Sequence, residues 1–132
     1  MISIIITSWK EPNTIGKCIN SIGDSKYSGM GNNFEILQVS PDRETLQAGL
    51  EAANELKLSS KEYRQIKDPK KGKPYALKMA MKEAKGDIII FTDGDTYFDK
   101  NAVKYLLEPF KNSDVGGVSG RPVSMDKKDN IF

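Results

Sequence analysis

From Ile2 to Thr7 the chain is a nearly unbroken β-branched run of strand length, without the alternation of a sheet wetted on one face. It predicts a central parallel strand covered on both sides. Ile15, Cys18, Ile19 and Ile22 then recur at helical spacing, and Pro12 suits the first turn of that helix, where its missing N–H costs nothing. Gly, Ser, Asp and Asn dominate from Gly23 to Asn33, a loop composition. Glu35 to Val39 predicts a second strand. Asp42 stands where an N-cap would precede a helix carrying Leu46, Leu50, Ala53 and Leu56 on one face. Tyr63 to Lys67 is a weaker third strand. Pro74 starts a helix with Leu77, Ala80, Met81 and Ala84 on its inner face, and Gly86 is placed for a left-handed C-cap. The next strand, Asp87 to Thr92, is as apolar as the first, and Asp93-Gly94-Asp95 stands directly beyond its carboxyl end. Ala102, Val103, Leu106, Leu107 and Phe110 mark a further helix, and Val115 to Val123 a last, glycine-broken strand. Strands alternating with helices predict an α/β fold, mostly parallel, in one domain over residues 1–132. Ligands gather at the carboxyl ends of such strands, which makes Ser8 to Glu11, Ser40 to Asp42 and Asp93 to Asp95 the candidate loops.

Composition narrows the chemistry. At 132 residues, 38% hydrophobic and 29% charged, the chain can bury one core without staples. Its lone Cys18 rules out a disulfide scaffold. The absence of histidine removes histidine triads, histidine bases and ordinary zinc sites, so any metal must be held by oxygen. A net charge of +2 gives no argument for a nucleic-acid partner. The apolar runs fall far short of the roughly 20 residues that span a bilayer, and the amino end lacks the pattern of a secretory signal. The expectation is a cytoplasmic protein, with membrane association only through regions outside this chain.

Asp93 and Asp95 place two carboxylates close together at an open sheet end, a costly arrangement unless something positive neutralises it. Mg²⁺ or Mn²⁺ fits, because such ions take one or two protein carboxylates and complete their shell with water and phosphate oxygens. Asp-Gly-Asp is equally ordinary turn chemistry, with Asp95 or Asp99 capping the next helix. A haloacid-dehalogenase-type phosphatase also carries Asp-x-Asp after an apolar strand, but it wants Thr or Val where Tyr97 stands, near the start of the fold. Basic residues gather before Pro74. Lys70, Lys82 and Lys85 are expected on a solvated face, whereas Lys73 sits at a glycine-containing helix entry, where N–H groups and the helix dipole favour phosphate. Neither Gly-x-x-x-x-Gly-Lys-Ser/Thr nor Gly-x-Gly-x-x-Gly occurs, which weakens ATPase and dinucleotide readings. Trp9 either stacks on a base or covers the sheet edge. Cys18 reads as a small core residue.

Four segments in order carry a resemblance: Ile2-Ser-Ile-Ile-Ile-Thr-Ser-Trp-Lys-Glu11, Glu35-Ile-Leu-Gln-Val39 followed by Asp42, Gly72-Lys73-Pro-Tyr-Ala-Leu77, and Phe91-Thr-Asp-Gly-Asp95. Together they resemble the amino-terminal, nucleotide-sugar-binding half of family 2 glycosyltransferases. The resemblance implies a GT-A fold, a Rossmann-like three-layer α/β/α arrangement. It also implies transfer of a sugar, with inversion, from a nucleotide diphosphate donor to a sugar, lipid or polysaccharide acceptor, with Mn²⁺ or Mg²⁺. By motif position Ser8, Trp9 and Glu11 would lie around base and ribose, and Asp42 would be a further base contact. Lys73 would lie near the diphosphate, Asp93 would contact ribose or the metal shell, and Asp95 would bind the metal. Thr7, Lys10 and Ser40-Pro41 depart from the family's common Pro, Asn and Asp. The acceptor-binding half and its catalytic base are expected outside residues 1–132. The alternative is a nucleotide-binding module without turnover.

Overall fold

The computed structural model describes residues 1–25 and 33–124. Four strands, β1 (Ile2–Thr7), β2 (Phe34–Ser40), β3 (Tyr63–Lys67) and β4 (Ile88–Asp93), form one sheet in the order β3-β2-β1-β4, and every pairing is parallel. The helices are α1 (Ile15–Ser25), α2 (Arg43–Glu55), α3 (Lys73–Glu83) and α4 (Ala102–Leu107), the last running into a 3₁₀ turn over Glu108–Lys111. As the unbroken apolar run requires, β1 is central and wholly buried. On one face Ile4 and Ile6 pack with Ile15, Cys18, Ile19, Ile22, Ala52, Ala53 and Val103; on the other, Ile5, Leu37 and Val39 pack with Ala76 and Ala80 of α3. Helices therefore cover both faces in three layers. Among the described residues no helix is long and apolar enough to cross a membrane.

Several local expectations change. Pro12 lies in the turn before α1, which begins only at Ile15, and α1 itself runs through Gly23 into the stretch expected as loop; residues 26–32 of that stretch lie outside the described residues. The inner face of α2 is Thr45, Gly49, Ala52 and Ala53, leaving Leu50 exposed. Beneath it lie Gln38 and Tyr63, whose side chains a Cβ at Gly49 would overlap, so this helix docks through small residues. Met81 of α3 is exposed as well. Gly86 has no positive φ, and α3 ends at Ala84 in extended conformation. Its lack of a side chain serves a close approach instead: a Cβ there would lie 2.5 Å from the Ser3 backbone nitrogen. Before α4, the Asn101 N–H donates to Asp99 Oδ1, and α4 has no side-chain cap. Val115 to Val123 forms no strand and is largely exposed. In consequence β4 is the edge of the described sheet, and Phe91 is half exposed rather than covered on both faces.

A buried polar cluster braces the amino ends of the strands. Glu35 is fully buried; Ser3 Oγ and the Lys85 N–H both donate to its Oε1 at 2.7 Å, and Arg64 Nη2 donates to Oε2 at 2.7 Å. Desolvation pushes this carboxyl up, but those hydrogen bonds and the Arg64 charge outweigh it and hold it below its ordinary range. The cluster lies at the opposite end of the sheet from the cleft described next.

Candidate functional site

At the carboxyl ends of the strands the β1–α1, β2–α2, β3–α3 and β4–α4 loops enclose a cleft of about 480 Å³. The register sets its floor. Thr7 pairs with Val39 on one side and Asp93 on the other, so the residues just beyond each strand emerge at a common level. Ser8 N–H donates to Val39 O, Gly94 N–H to Thr7 O and Asp68 N–H to Ser40 O, carrying the ladder one step past the strands.

Asp93 is the hub of one end. Its Oδ1 accepts from Thr7 Oγ1 at 3.2 Å and from Lys73 Nζ at 2.5 Å. Lys73 opens α3, an eleven-residue helix whose preceding Gly72 has φ of 95° and offers no side-chain cap, and Gly72, Lys73 and Ala76 put the start of this helix at the wall of the cleft. Asp95 lies two residues further on. Gly94 between them is buried: a Cβ there would stand 2.5 Å from Glu11 Oε2 and 2.6 Å from Ser8 Cβ, so only glycine lets the β4 loop close onto the β1 loop. Glu11 Oε2 is itself buried and accepts no hydrogen bond. Desolvation, and then repulsion from Asp95, Asp93 and Asp42, raise the Glu11 pKa against the pull of Lys73. Beneath this end Cys18 Sγ donates to the Asp93 carbonyl oxygen, and burial pushes its thiol up to about 12, the inert core residue its spacing suggested.

Ser8, Trp9, Glu11, Lys73, Asp93 and Asp95 all line the cleft. Ser8 turns its hydroxyl to the Ser40 hydroxyl, so it meets the cleft by its backbone and Cβ, while Trp9 is 57% exposed at the rim with Lys10 Nζ over its ring. Asp42 is not brought in. Its Oδ2 accepts from the Thr45 N–H and hydroxyl and its Oδ1 from the Lys10 N–H, making it the N-cap of α2 and a clamp on the β1–α1 loop. Burial would raise its pKa, but these bonds, the Thr45 hydroxyl foremost, lower it. Lys70 is exposed, as expected of a solvated face, and it also lines the cleft, as does Asp68, which the sequence reasoning passed over. The signal for Asp68 was available: it follows a strand of a parallel sheet, where ligand-binding residues collect.

The residues present suit a hard cation. Asp93 and Asp95 offer oxygen donors, and the unpartnered Glu11 Oε2 lies close to the Gly94 between them. Among the described residues no three ligating side chains converge, which is the donor set of an ion that relies on phosphate and water for most of its shell.

A three-layer parallel sheet with this cleft at its carboxyl edge has the GT-A fold of glycosyltransferases. Over 82% of this chain, and 32% of the other, it superposes with TM-score 0.68 and 23% identity on the mannosyltransferase PcManGT from Pyrobaculum calidifontis in complex with GDP-Man and Mn²⁺. S. aureus TarS 1-349 in complex with UDP-GlcNAc gives TM-score 0.65 at 23% identity, over 94% of this chain and 37% of TarS 1-349. Glycosyl transferase family 2 matches residues 3–131, and the chain belongs to that family. Two N-acetylglucosaminyltransferases are similar in sequence. That of Bradyrhizobium elkanii is 25% identical over 97% of this chain and 69% of its own length; that of Azorhizobium caulinodans is 27% identical over 96% and 32%. The chain thus spans about a third to two-thirds of the length of these proteins.

Proposed function

We propose that residues 1–132 form the donor-binding part of a glycosyltransferase, holding a nucleotide diphosphate sugar with Mn²⁺ or Mg²⁺ for inverting transfer to a sugar, lipid or polysaccharide acceptor on the cytoplasmic side. The observation that carries this reading is the convergence, in one cleft, of Ser8, Trp9 and Glu11, of Lys73, and of Asp93 and Asp95, from three separate segments of the chain. The names of the relatives and the ligands of the structural neighbours support a nucleotide-sugar donor. Asp95 and Asp93 hold the ion, and when bound it supplies positive charge against the diphosphate leaving group. Lys73 adds a second positive charge there. Ser8, Trp9 and Glu11 flank base and ribose, Asp93 reaches ribose or the ion, and Asp42 acts indirectly by fixing Lys10.

Calorimetry with UDP and GDP tests it. Affinity should be at least tenfold higher with Mn²⁺ than with EDTA, and Asp95→Ala should abolish the difference, because one carboxylate is a large share of the protein's ligands to such an ion. Equal affinities in Mn²⁺ and EDTA would refute the metal assignment.

A further inference from the structure

Among the described residues α3 alone covers one face of the sheet, through Ala76 and Ala80, while α1, α2 and Val103 of α4 pack on the other. Its outer surface is therefore a face of the molecule. Tyr75, Lys78 and Lys82 follow at helical spacing on the side away from Ala76 and Ala80, and all three are exposed. Lys71 extends the stripe ahead of the helix, with its Nζ 5.1 Å from the centroid of the Tyr75 ring, and exposed Lys85 follows its end. Met81, 50% exposed, stands beside Lys82. None of these four lysines makes an ion pair among the described residues. The one acidic residue of α3, Glu83, turns to Arg64 at 3.7 Å instead.

The charge is gathered here rather than spread. Residues 61–85 hold nine of the chain's 20 basic residues and three of its 18 acidic ones, so they carry +6, while the remaining residues, with eleven and fifteen, carry −4. The small net charge conceals this separation. Such a face attracts an extended polyanion, and its chemistry selects among them. Its charge is all lysine, since Arg64, the one arginine of the segment, is held by Glu35 and Glu83. Nucleic acid is read best by the planar fork of arginine, whereas lysines act as point charges whose stems lie along apolar material. Met81 and the Tyr75 ring supply that apolar material, which suits the headgroup boundary of a bilayer, and Met81 has no use against a phosphate backbone.

We infer that the outer face of α3 is a docking surface for an anionic lipid bilayer, with its lysines over the headgroups and Met81 and Tyr75 at their boundary with the acyl chains. Clusters of roughly four to eight basic residues on a helix face bind anionic leaflets in this way. This departs from the expectation that membrane association comes only through regions outside this chain. Because α3 begins at the wall of the cleft, docking brings the cleft close to the lipid surface. The inference stands on the α3 face and does not need the donor-binding reading.

Co-sedimentation of the chain with vesicles tests it, comparing phosphatidylcholine alone with phosphatidylcholine carrying about one-third phosphatidylglycerol. The chain should pellet with the anionic vesicles only, and about 1 M salt, where the screening length shrinks to roughly 3 Å, should release it. One lysine near such a leaflet is worth roughly fivefold in partitioning, so Lys78→Glu combined with Lys82→Glu should weaken binding by about twentyfold or more. Lys17→Glu combined with Lys104→Glu makes the same change of net charge at exposed positions of α1 and α4, across the sheet, and should stay within about threefold of wild type. Met81→Ser should weaken vesicle binding roughly threefold and leave binding of polyuridylate unchanged. Equal losses in the two double variants, equal pelleting with both kinds of vesicle, or pelleting with neither would overturn the assignment. Tighter binding of polyuridylate than of anionic vesicles would overturn it in favour of nucleic acid.

Discussion

Lys73 and Asp93 form a 2.5 Å ion pair, and both side chains are about half exposed, so water screens their attraction and the pair by itself adds little stability. Its consequence is positional: Asp93 Oδ1, anchored by Thr7, holds the ammonium at the head of α3. A point charge acts on phosphate and not on a base. Lys73→Ala should therefore lower UDP affinity roughly tenfold and leave uridine affinity within twofold, the discounted value of one charged contact in a half-exposed cleft. Lys78, exposed on α3 outside the cleft, is the control, and Lys78→Ala should change neither. Equal losses in the two variants would mean a diffuse basic surface. Lys73 was identifiable in advance because a glycine, a proline and the start of a periodic helix surround it. Asp68 had only its place after the predicted strand Tyr63 to Lys67 to mark it, and the turn that orients it, with Lys70 at a φ of 62°, is shown by coordinates alone.

Strands and helices of one strong periodicity were legible: the β1 run, the α1 stripe and the apolar β4 appear where the pattern put them. What failed was whatever depends on a neighbour. The buried face of α2 is set by the Gln38 and Tyr63 side chains beneath it, so small residues won over leucines. Val115 to Val123 adds no strand although β4 is an edge of the described sheet, because Gly116, Gly117, Gly120 and Pro122 outweigh its valines. The Glu35 cluster was equally invisible, since a single acidic residue in an apolar strand gives no sign of Ser3, Arg64 and Lys85 converging on it. Its effect is measurable. With the folded carboxyl held below its ordinary 4.5, the ionised form stabilises the fold above that value, and the contribution disappears as pH falls through the lower folded value. Glu35→Gln should cost about 1–3 kcal/mol at pH 7, because Arg64 loses its buried partner. In urea unfolding the gap between wild type and variant should narrow steadily below pH 4.5; a gap that is constant from pH 7 to pH 3.5 would show that ionised Glu35 is not what stabilises the strand ends.

Across the whole molecule the polar work divides between the two ends of one sheet, structural at the amino ends and ligand-directed at the carboxyl ends. The division bears on what residues 1–132 can do unaided. Transfer needs a group to take the acceptor's proton, worth roughly two to four orders of magnitude in rate. The sequence has no histidine. The carboxylates lining the cleft are Glu11, Asp68, Asp93 and Asp95. Asp93 is paired with Lys73, Asp95 is assigned to the ion, Asp68 accepts the Lys70 N–H, and Glu11 is packed against Gly94 between the loops. Under the donor-binding reading each of them therefore already has a structural or donor-side role. The similar N-acetylglucosaminyltransferases have length with no counterpart in this chain, where such a base can reside. The expected outcome is that residues 1–132 bind donor in Mn²⁺ yet consume it at the same rate with and without acceptors. The measurement is release of UDP or GDP from their sugar conjugates, with sugar, lipid-linked and polysaccharide acceptors added in turn. An acceptor-dependent increase of a hundredfold or more would sink the prediction, and Glu11→Gln would then be the first variant to make, since among the described residues of the cleft Glu11 Oε2 is buried without a partner.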